Sequence, residues 1–204
     1  MSLPRPPLLV VTDRKQARAP LEDILAAAFA AGCRWASLRE KDLPGAEQVA
    51  LARALHAVAR RYDARLTLHG SAETAKAAGV DGVHLPGGAD PLAARTLLGP
   101  RALIGISVHM PSEAACVPAG TVDYVVAGPA FETASKPGYG PALGETGIAA
   151  IASATQAPLI AIGGIETGNL GGILRAGAAG VAVMGGVMRA SDPGATIREL
   201  LSKF

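Results

Sequence analysis

The sequence predicts an α/β protein that folds as a single (βα)8 TIM barrel over residues 1–204. Short β-like runs alternate with longer helical patterns eight times, and no change in composition marks a domain boundary. The β-like runs are almost continuously apolar, which is typical of a parallel sheet that is covered on both faces. Because no stretch reads as a hairpin or as purely helical, closure into a barrel is favoured over an open, doubly wound sheet.

The predicted strands are the short apolar runs, taken in order along the chain. They are Leu8–Thr12, Trp35–Arg39, Arg65–His69, Gly82–Leu85, Leu103–Ser107, Tyr124–Gly128, Pro158–Gly163 and Gly180–Met184. Predicted helices follow the strands, and in the longest of them apolar residues recur near helical spacing. They are Pro20–Ala31, Ala46–Arg61, Ala72–Ala78, Pro91–Leu98, Ser112–Ala115, Thr146–Ala154, Thr167–Ala176 and Pro193–Phe204.

One long loop interrupts this regular pattern. The segment from Glu132 to Glu145 has no convincing periodicity and contains Lys136 within a Gly/Pro-rich stretch. A loop of this length in a compact barrel is usually functional, for example as an active-site lid. An ordered surface excursion is the alternative, but the position after strand six, on the catalytic face, favours a lid.

Composition and charge narrow the classes of function. Half of the residues are hydrophobic and only 3% are aromatic, which predicts a large aliphatic core. A formal net charge of +2, without a block of like charges, argues against a nucleic-acid partner. No apolar run reaches the roughly 18–20 residues that cross a membrane, and the N-terminus lacks a signal-peptide core. We therefore expect a cytoplasmic protein with no membrane partner, and the sequence leaves a homo-oligomer open.

The two cysteines carry no functional signal. Cys33 and Cys116 lie far apart in the chain and have no ligand-like spacing. In a protein without a secretory segment they are expected to be reduced, partly buried thiols.

Candidate site residues follow from the predicted fold, because the active site of such a barrel forms at the C-terminal ends of its strands. The polar side chains at or just beyond those ends are Arg39, Glu40, Lys41, His69, His84, Ser107, His109, Thr133, Ser135 and Lys136. The last two strands end instead in glycine pairs, Gly163-Gly164 and Gly185-Gly186.

The glycine pairs predict a phosphate-binding site. A phosphate needs backbone N–H groups turned toward it, and a Cβ atom would obstruct both the turn and the approach. A helix that starts near Thr167 would also point its N-terminus into the site. One such pair alone usually makes only a turn, but two pairs after strands seven and eight match the usual phosphate site of the fold.

The charged side chains allow two interpretations. Arg39 and Lys41 alternate with Glu40, so both cations can face the mouth and bind a second anionic group or a polarised ring substituent. The alternative is a solvated edge in which Glu40 pairs with a neighbour. Lys136, in its glycine- and proline-rich loop, could close over an anion, although a lone lysine is usually solvated.

The histidines are the candidates for acid/base chemistry. His84 and His109 are each plausible proton-transfer groups, although a lone histidine at a strand end is more often a structural hydrogen-bonding residue. No cluster has metal-ligand spacing, and no Ser-His-Asp order or dinucleotide-binding glycine motif is present.

Motifs at six of the eight strand ends resemble the thiamine phosphate synthase/TenI family, and the resemblance spans nearly the whole chain. They are Ser37-Leu38-Arg39-Glu40-Lys41, Gly82-Val83-His84-Leu85, Gly105-Ile106-Ser107-Val108-His109, Gly128-Pro129-Ala130-Phe131-Glu132-Thr133, Ala161-Ile162-Gly163-Gly164-Ile165 and Ala178–Gly186. The resemblance implies that the glycines hold a thiazole phosphate, the expected small-molecule ligand. It also implies one of two reactions. The synthase joins a hydroxymethylpyrimidine diphosphate to the thiazole phosphate with Mg²⁺, whereas TenI-type proteins shift a proton to make the thiazole aromatic.

Departures from the synthase pattern favour the TenI branch. The synthase has Asn-Asp after strand three, where its Asp holds Mg²⁺, and here His69-Gly70 stands instead. It also has a glutamine where Ser37 lies, and a second metal-binding Asp after strand four that Asp90 would replace only with shifted spacing. We therefore expect no cofactor and no metal site, with Asp90 and Mg²⁺ entering only if the chain is a synthase.

One departure counts against the TenI reaction. The best-known TenI pattern has a catalytic histidine in the strand-six loop, where this chain has Pro129. A proton shift would then rest on His84, His109, His69 or Glu40, and the sequence does not choose among them. A TenI-like tautomerase is the leading hypothesis. The synthase and a non-catalytic thiazole phosphate-binding or regulatory protein are the alternatives.

Overall fold

Eight parallel strands close into a barrel in chain order in the computed structural model, which describes residues 3–133 and 141–204. The strands are β1 (Leu8–Val11), β2 (Trp35–Leu38), β3 (Arg65–His69), β4 (Gly82–Leu85), β5 (Leu103–Val108), β6 (Tyr124–Ala127), β7 (Leu159–Ile162) and β8 (Gly180–Val183). The last strand pairs with the first, with Leu8 opposite Val181 and Val10 opposite Val183. The prediction of a closed (βα)8 barrel is confirmed.

Helices surround the barrel on its outside. They are α1 (Leu21–Ala30), α2 (Gly45–Arg60), α3 (Ala72–Ala78), α4 (Pro91–Leu98), α5 (Pro111–Ala115), α6 (Gly144–Ala154), α7 (Leu170–Arg175), α8 (Gly185–Met188) and α9 (Pro193–Leu201). Their apolar faces pack on the outer faces of the strands in a core built mainly from Ala, Val, Leu and Ile. No helix in the described part of the chain is both long enough and apolar enough to span a membrane.

One predicted helix begins later than expected, and one helix was not predicted. The helix expected to begin at Thr167 begins at Leu170, because the preceding turn is fixed by Asn169. The Asn169 Oδ1 atom accepts a hydrogen bond from the Glu166 N–H at 2.8 Å, and its Nδ2 donates to the Gly164 carbonyl at 2.9 Å. The short helix α8 was not predicted at all, because two consecutive glycines are poor helix formers.

The interior of the barrel is closed by two aromatic side chains. Trp35 and Tyr124 meet edge to face, with ring centroids 4.7 Å apart, and both are fully buried. Gly105 makes room for Tyr124, since a Cβ atom there would lie 2.1 Å from Cζ of that ring. The prediction of an aliphatic core is confirmed both between strands and helices and inside the barrel, where the residues buried around these two rings are aliphatic.

Both cysteines are free thiols. Cys33 is buried under α1, where burial raises the pKa of its thiol to about 11. Cys116 is exposed, which differs from the expected partial burial.

Candidate active site

A cavity of about 340 Å³ opens at the C-terminal ends of the strands, and we call it the mouth cavity. It brings together most of the side chains and glycines predicted from the sequence. Those that line it are Arg39, Lys41, His69, His84, Ser107, His109, Thr133, Gly163, Gly164, Gly185 and Gly186. Ser135 and Lys136 lie outside the described residues, as do residues 134–140 of the predicted lid as a whole. Glu40 and Asp90 are placed elsewhere, as described below.

The first glycine pair follows β7 in a conformation that other residues rarely adopt. The φ angles of Gly163 and Gly164 are 104° and 62°. Packing adds a second constraint: a Cβ atom on Gly163 would lie 2.8 Å from Cα of Pro129, and one on Gly164 would lie 2.5 Å from the Glu132 carbonyl oxygen. This turn therefore requires glycine both for its backbone and for its contact with the loop after β6.

The second glycine pair forms the start of α8. The first N–H groups of a helix have no partner within it, and they favour a nearby anion. Gly185 is buried and Gly186 is exposed, and a Cβ atom on Gly186 would meet no atom within 4 Å. Gly186 therefore leaves the cavity open beside the start of this helix, without being needed for packing.

Arg189 is a cation of the mouth cavity that the sequence reasoning missed. It lies one residue beyond α8, lines the cavity and donates a hydrogen bond to Oε1 of Gln16. Its position three residues after Gly186 is the only signal in the sequence. With the two glycine pairs, it gives the β7–β8 side of the cavity the donors and positive charge that suit a phosphate.

Arg39 and Lys41 supply positive charge on the β2 side of the cavity. Desolvation at the mouth, together with the neighbouring charge of Arg39, lowers the pKa of Lys41. Glu40, between them, turns away from the cavity and is 4% exposed. Its carboxylate accepts hydrogen bonds from Thr12 and Arg14, so the structure does not bring this proton-transfer candidate to the site.

His84 is the most deeply buried of the predicted acid/base groups, at 3% exposure. Its ring lies between those of His69 and Tyr124, at centroid distances of 4.7 and 5.6 Å. Its Nε2 atom is 2.9 Å from Oγ of Ser107. Burial, and to a lesser extent the charge of Lys41, lower the pKa of His84 to about 3, so this imidazole is neutral near pH 7.

Two buried polar atoms on the cavity wall have no hydrogen-bond partner within the described part of the protein. They are Oγ of Ser37 on β2 and Nδ1 of His84 on β4. In this fold the inward-facing side chains of alternate strands, such as β2 and β4, lie in the same layer of the barrel interior. Because a buried polar atom without a partner costs about 1–3 kcal/mol, this wall is suited to a ligand that carries a hydrogen-bonding group.

His69 and His109 lie nearer to solvent. His69 ends β3, is half-buried and lines the cavity. The backbone N–H of His109 donates to Oε2 of Glu113 at 2.7 Å, and its Nδ1 lies 3.2 Å from the same oxygen. His109 is therefore oriented by α5, whereas His69 packs on the buried ring of His84.

Comparisons with known proteins show which chains this one is similar to. A family model described as thiamine monophosphate synthase matches residues 8–187. A putative thiamine-phosphate synthase of Geobacter sulfurreducens is 41% identical over 199 residues, which cover 96% of this chain and 92% of the relative. The thiamine-phosphate synthase of Roseiflexus sp. is 38% identical over 195 residues, 94% of this chain and 82% of the relative.

Among solved structures, a thiamine phosphate pyrophosphorylase from Pyrococcus furiosus is similar to this chain. It superposes with a TM-score of 0.84 at 29% sequence identity, and the match covers 96% of this chain and 94% of that one.

Proposed function

Because the chain belongs to the thiamine monophosphate synthase family, we propose that its mouth cavity binds a thiazole phosphate in thiamine biosynthesis. The glycine turns after β7 and β8 carry this proposal. Gly163 and Gly164 hold left-handed backbone, and Gly186 keeps the start of α8 open to the cavity. An anion can therefore approach the backbone closely on this side, where Arg189 adds a positive charge.

A phosphate at β7 and β8 would direct the rest of the ligand across the mouth. In a barrel of eight strands closed in chain order, β3 and β4 lie opposite β7 and β8. The thiazole ring would then lie toward His69 and His84, with Arg39 and Lys41 at the neighbouring strand end. This orientation makes His69 and His84, rather than His109 after β5, the groups nearest to the ring.

We propose a proton shift on the thiazole ring as the reaction, because imidazoles stand at the strand ends that face it. His69 would take a proton from a saturated ring carbon and return it to the carbon of a double bond outside the ring, so that the double bonds shift into the ring and the composition stays unchanged. His84 is a poor base near neutral pH, since its pKa is about 3. As a neutral group hydrogen-bonded to Ser107, His84 would orient the ligand, and its ring would hold the ring of His69 in place by packing against it.

The names of the relatives favour a second candidate reaction. Proteins 38–41% identical to this chain are called thiamine-phosphate synthase, one of them as a putative assignment, and none of the names mentions isomerisation. In that case the thiazole nitrogen would bond to the methylene carbon of a hydroxymethylpyrimidine diphosphate, and the bond from that carbon to oxygen would break so that diphosphate leaves. Arg39 and Lys41 would then face the diphosphate. The relatives thus support synthesis, and the side chains of the mouth support the proton shift.

The side chains after β3 and β4 do not fit the Mg²⁺ ion that the synthase reaction implies. His69 offers nitrogen and Gly70 no side chain, whereas Mg²⁺ prefers oxygen ligands. Asp90 is exposed and caps α4, where its Oδ1 accepts hydrogen bonds from the N–H groups of Leu92 and Ala93 at 2.8 and 3.2 Å. Within residues 3–133 and 141–204, no three His, Cys, Asp or Glu side chains are grouped so as to hold a metal.

Two parallel assays test these reactions. The first follows the ultraviolet absorbance of the aromatic product when the protein is mixed with the non-aromatic thiazole phosphate tautomer; we expect acceleration without added metal. The second measures thiamine phosphate formed from hydroxymethylpyrimidine diphosphate and aromatic thiazole phosphate, with Mg²⁺ and with EDTA. If thiamine phosphate forms with Mg²⁺ and its formation is abolished by EDTA, synthesis rather than the proton shift is the reaction. Binding without turnover in either assay would indicate a binding or regulatory protein, and no binding would overturn the proposal.

The phosphate site itself is tested by Gly186→Ala. We expect about tenfold weaker binding of inorganic phosphate and of thiazole phosphate, about 1.4 kcal/mol, because the added methyl group occupies the approach to α8. The melting temperature should not fall, since no atom lies within 4 Å of the new Cβ and alanine is a better helix former than glycine. Gly168→Ala is the matched control: it is also exposed with open space around it, but does not line the cavity. If calorimetry gives the two variants equal affinities for phosphate, the proposal that phosphate binds beside the glycines after β8 is wrong.

A further inference from the structure

Glu40 makes a set of contacts that its position between two cationic residues does not explain. Its side chain is 2% exposed, although it sits at the edge of an open cavity. Its Oε1 accepts hydrogen bonds from Oγ1 of Thr12 at 2.8 Å and from the N–H of Arg14 at 3.0 Å, and its Oε2 lies 3.2 Å from Nη1 of Arg14. The carboxylate therefore joins the loop after β1 to the loop after β2.

The same network continues on both sides of Glu40. The Oγ1 atom of Thr12 accepts a hydrogen bond from the backbone N–H of Arg39 at 2.9 Å. The guanidinium of Arg14 also binds Asp42 through two hydrogen bonds of 2.8 Å each. We call the contacts of Thr12, Arg14, Glu40 and Asp42 the β1–β2 brace. It holds residues 39–42 at three points, which are the backbone N–H of Arg39 and the side-chain carboxylates of Glu40 and Asp42.

The β1–β2 brace lies beside two like charges at the end of β2. Arg39 and Lys41 carry like charges within three residues, line the same cavity and repel each other. Glu40 lies between them in sequence, but it directs its charge away from the cavity toward Arg14. The charged ends of Arg39 and Lys41 are thus left facing the cavity. Glu40, which lies between them in sequence, is paired with Arg14 and does not neutralise them.

We propose that Glu40 is a positioning residue that holds Arg39 and Lys41 at the cavity and thereby sets the affinity for the ring end of the ligand. The inference rests on the proposed function, because it takes a thiazole phosphate as that ligand. It replaces the sequence-based suggestion that Glu40 transfers a proton, since a carboxylate engaged by three donors behind the strand end does not reach a substrate ring.

The sign of one substitution separates this role from simple electrostatics. Glu40→Gln removes a negative charge beside two cations, which by itself would strengthen the binding of an anionic ligand. A positioning role predicts the opposite, because the amide weakens the bonds to Arg14 and releases the loop. We expect thiazole phosphate to bind about tenfold more weakly. Inorganic phosphate, held on the β7–β8 side, should bind within about twofold of wild type.

Glu47→Gln is the matched control, because it makes the same chemical change on an exposed side chain in the first turn of α2. It should leave both affinities as in wild type. Glu40→Asp, which keeps the charge, should recover part of the lost affinity. Tighter binding of thiazole phosphate to Glu40→Gln, or equal loss for both ligands, would overturn the positioning role. A loss of kcat with unchanged KM would also overturn it, because that pattern belongs to a proton-transfer group.

A second readout separates failure of this inference from failure of the proposed function. If wild-type protein does not bind thiazole phosphate, the proposed function fails, but the brace can still be tested in ligand-free protein. Glu40→Gln should lower the rate at which an amine-reactive reagent modifies Lys41 by about threefold or more, which corresponds to a rise of half a pKa unit, because the released Lys41 becomes more solvated and moves away from Arg39. Loss of a negative charge alone would lower the pKa and raise the rate, so a faster reaction would overturn the positioning role. Glu47→Gln should not change the rate. An unaltered rate in Glu40→Gln would show that Lys41 does not depend on Glu40.

Discussion

Replacing His69 with phenylalanine is expected to lower kcat for the thiazole proton shift by a factor of about 10² to 10⁴, the usual contribution of a positioned acid/base group. The phenyl ring preserves the contact with the ring of His84, 4.7 Å away, so the fold and the cavity shape should be retained. Inorganic phosphate should bind as in wild type, because the glycine turns lie on the opposite side of the barrel. Steady-state kinetics and calorimetry on the same preparation check both parts.

His109→Phe is the comparison that gives this result its meaning. His109 also lines the cavity, but it follows β5 and is oriented toward Glu113. Its loss should reduce kcat much less than the loss of His69. If the two variants lose activity equally, the ring does not lie toward β3. If His109→Phe alone is inactive, the proton is transferred by the His109–Glu113 pair instead.

The second large effect concerns the pH dependence of stability, and it comes from His84. Its pKa falls from the ordinary 6.5 to about 3 in the folded protein, chiefly because the imidazole is buried. In the unfolded chain His84 therefore binds a proton below about pH 6.5, whereas in the native protein it stays unprotonated until the pH approaches 3. The stabilising contribution is complete above pH 6.5 and is lost as the pH falls toward 3. At pH 4.5 the loss amounts to about 2–3 kcal/mol.

His84→Phe should remove most of that pH dependence. Phenylalanine keeps a ring between His69 and Tyr124 but has no proton to bind, so its free energy of unfolding should fall less between pH 7 and 4.5 than that of wild type. The difference should be about 2–3 kcal/mol. Urea unfolding at several pH values measures it. Parallel curves for the two proteins would show that His84 does not resist protonation in the native state.

The barrel could be predicted from sequence because its signals are local and repeated. Each strand is a short apolar run that needs no knowledge of its neighbours, and β4 was predicted with its observed limits, Gly82–Leu85. Errors arose where a tertiary contact decides the outcome. The start of α7 is set by a side-chain bond from Asn169 back to Gly164, and α8 begins on two glycines that propensity alone would exclude.

The site was predicted in outline for a similar reason. Position at a strand end is readable from sequence, and it brought Arg39, Lys41 and the histidines to one cavity. Orientation is not readable, because it depends on partners far away in the chain. Glu40 turns toward Thr12 and Arg14, about 26–28 positions earlier, and so leaves the cavity that its neighbours line.

Ser37 and Arg189 line the cavity but were not predicted as site residues. Ser37 has an ordinary side chain in an apolar strand, and only the barrel places its buried hydroxyl on the cavity wall without a partner among the described residues. Arg189 lies beyond a helix that was not predicted, so its spacing from Gly186 alone did not place it at the cavity. For Ser37 the signal is the burial of its hydroxyl, and for Arg189, which is exposed, it is the place of the residue at the end of α8 beside the cavity.

The glycines of the phosphate site differ in what natural variation among relatives can reveal. Gly163 and Gly164 would be retained by folding alone, since Pro129 and Glu132 leave no room for a side chain. A relative that had lost its ligand would still carry them. Gly186 is under no such constraint, and mutational drift would fill that position once phosphate binding ceased to be selected. Residue 186 is therefore the position at which to separate relatives that still bind a phosphate from those that have kept only the scaffold.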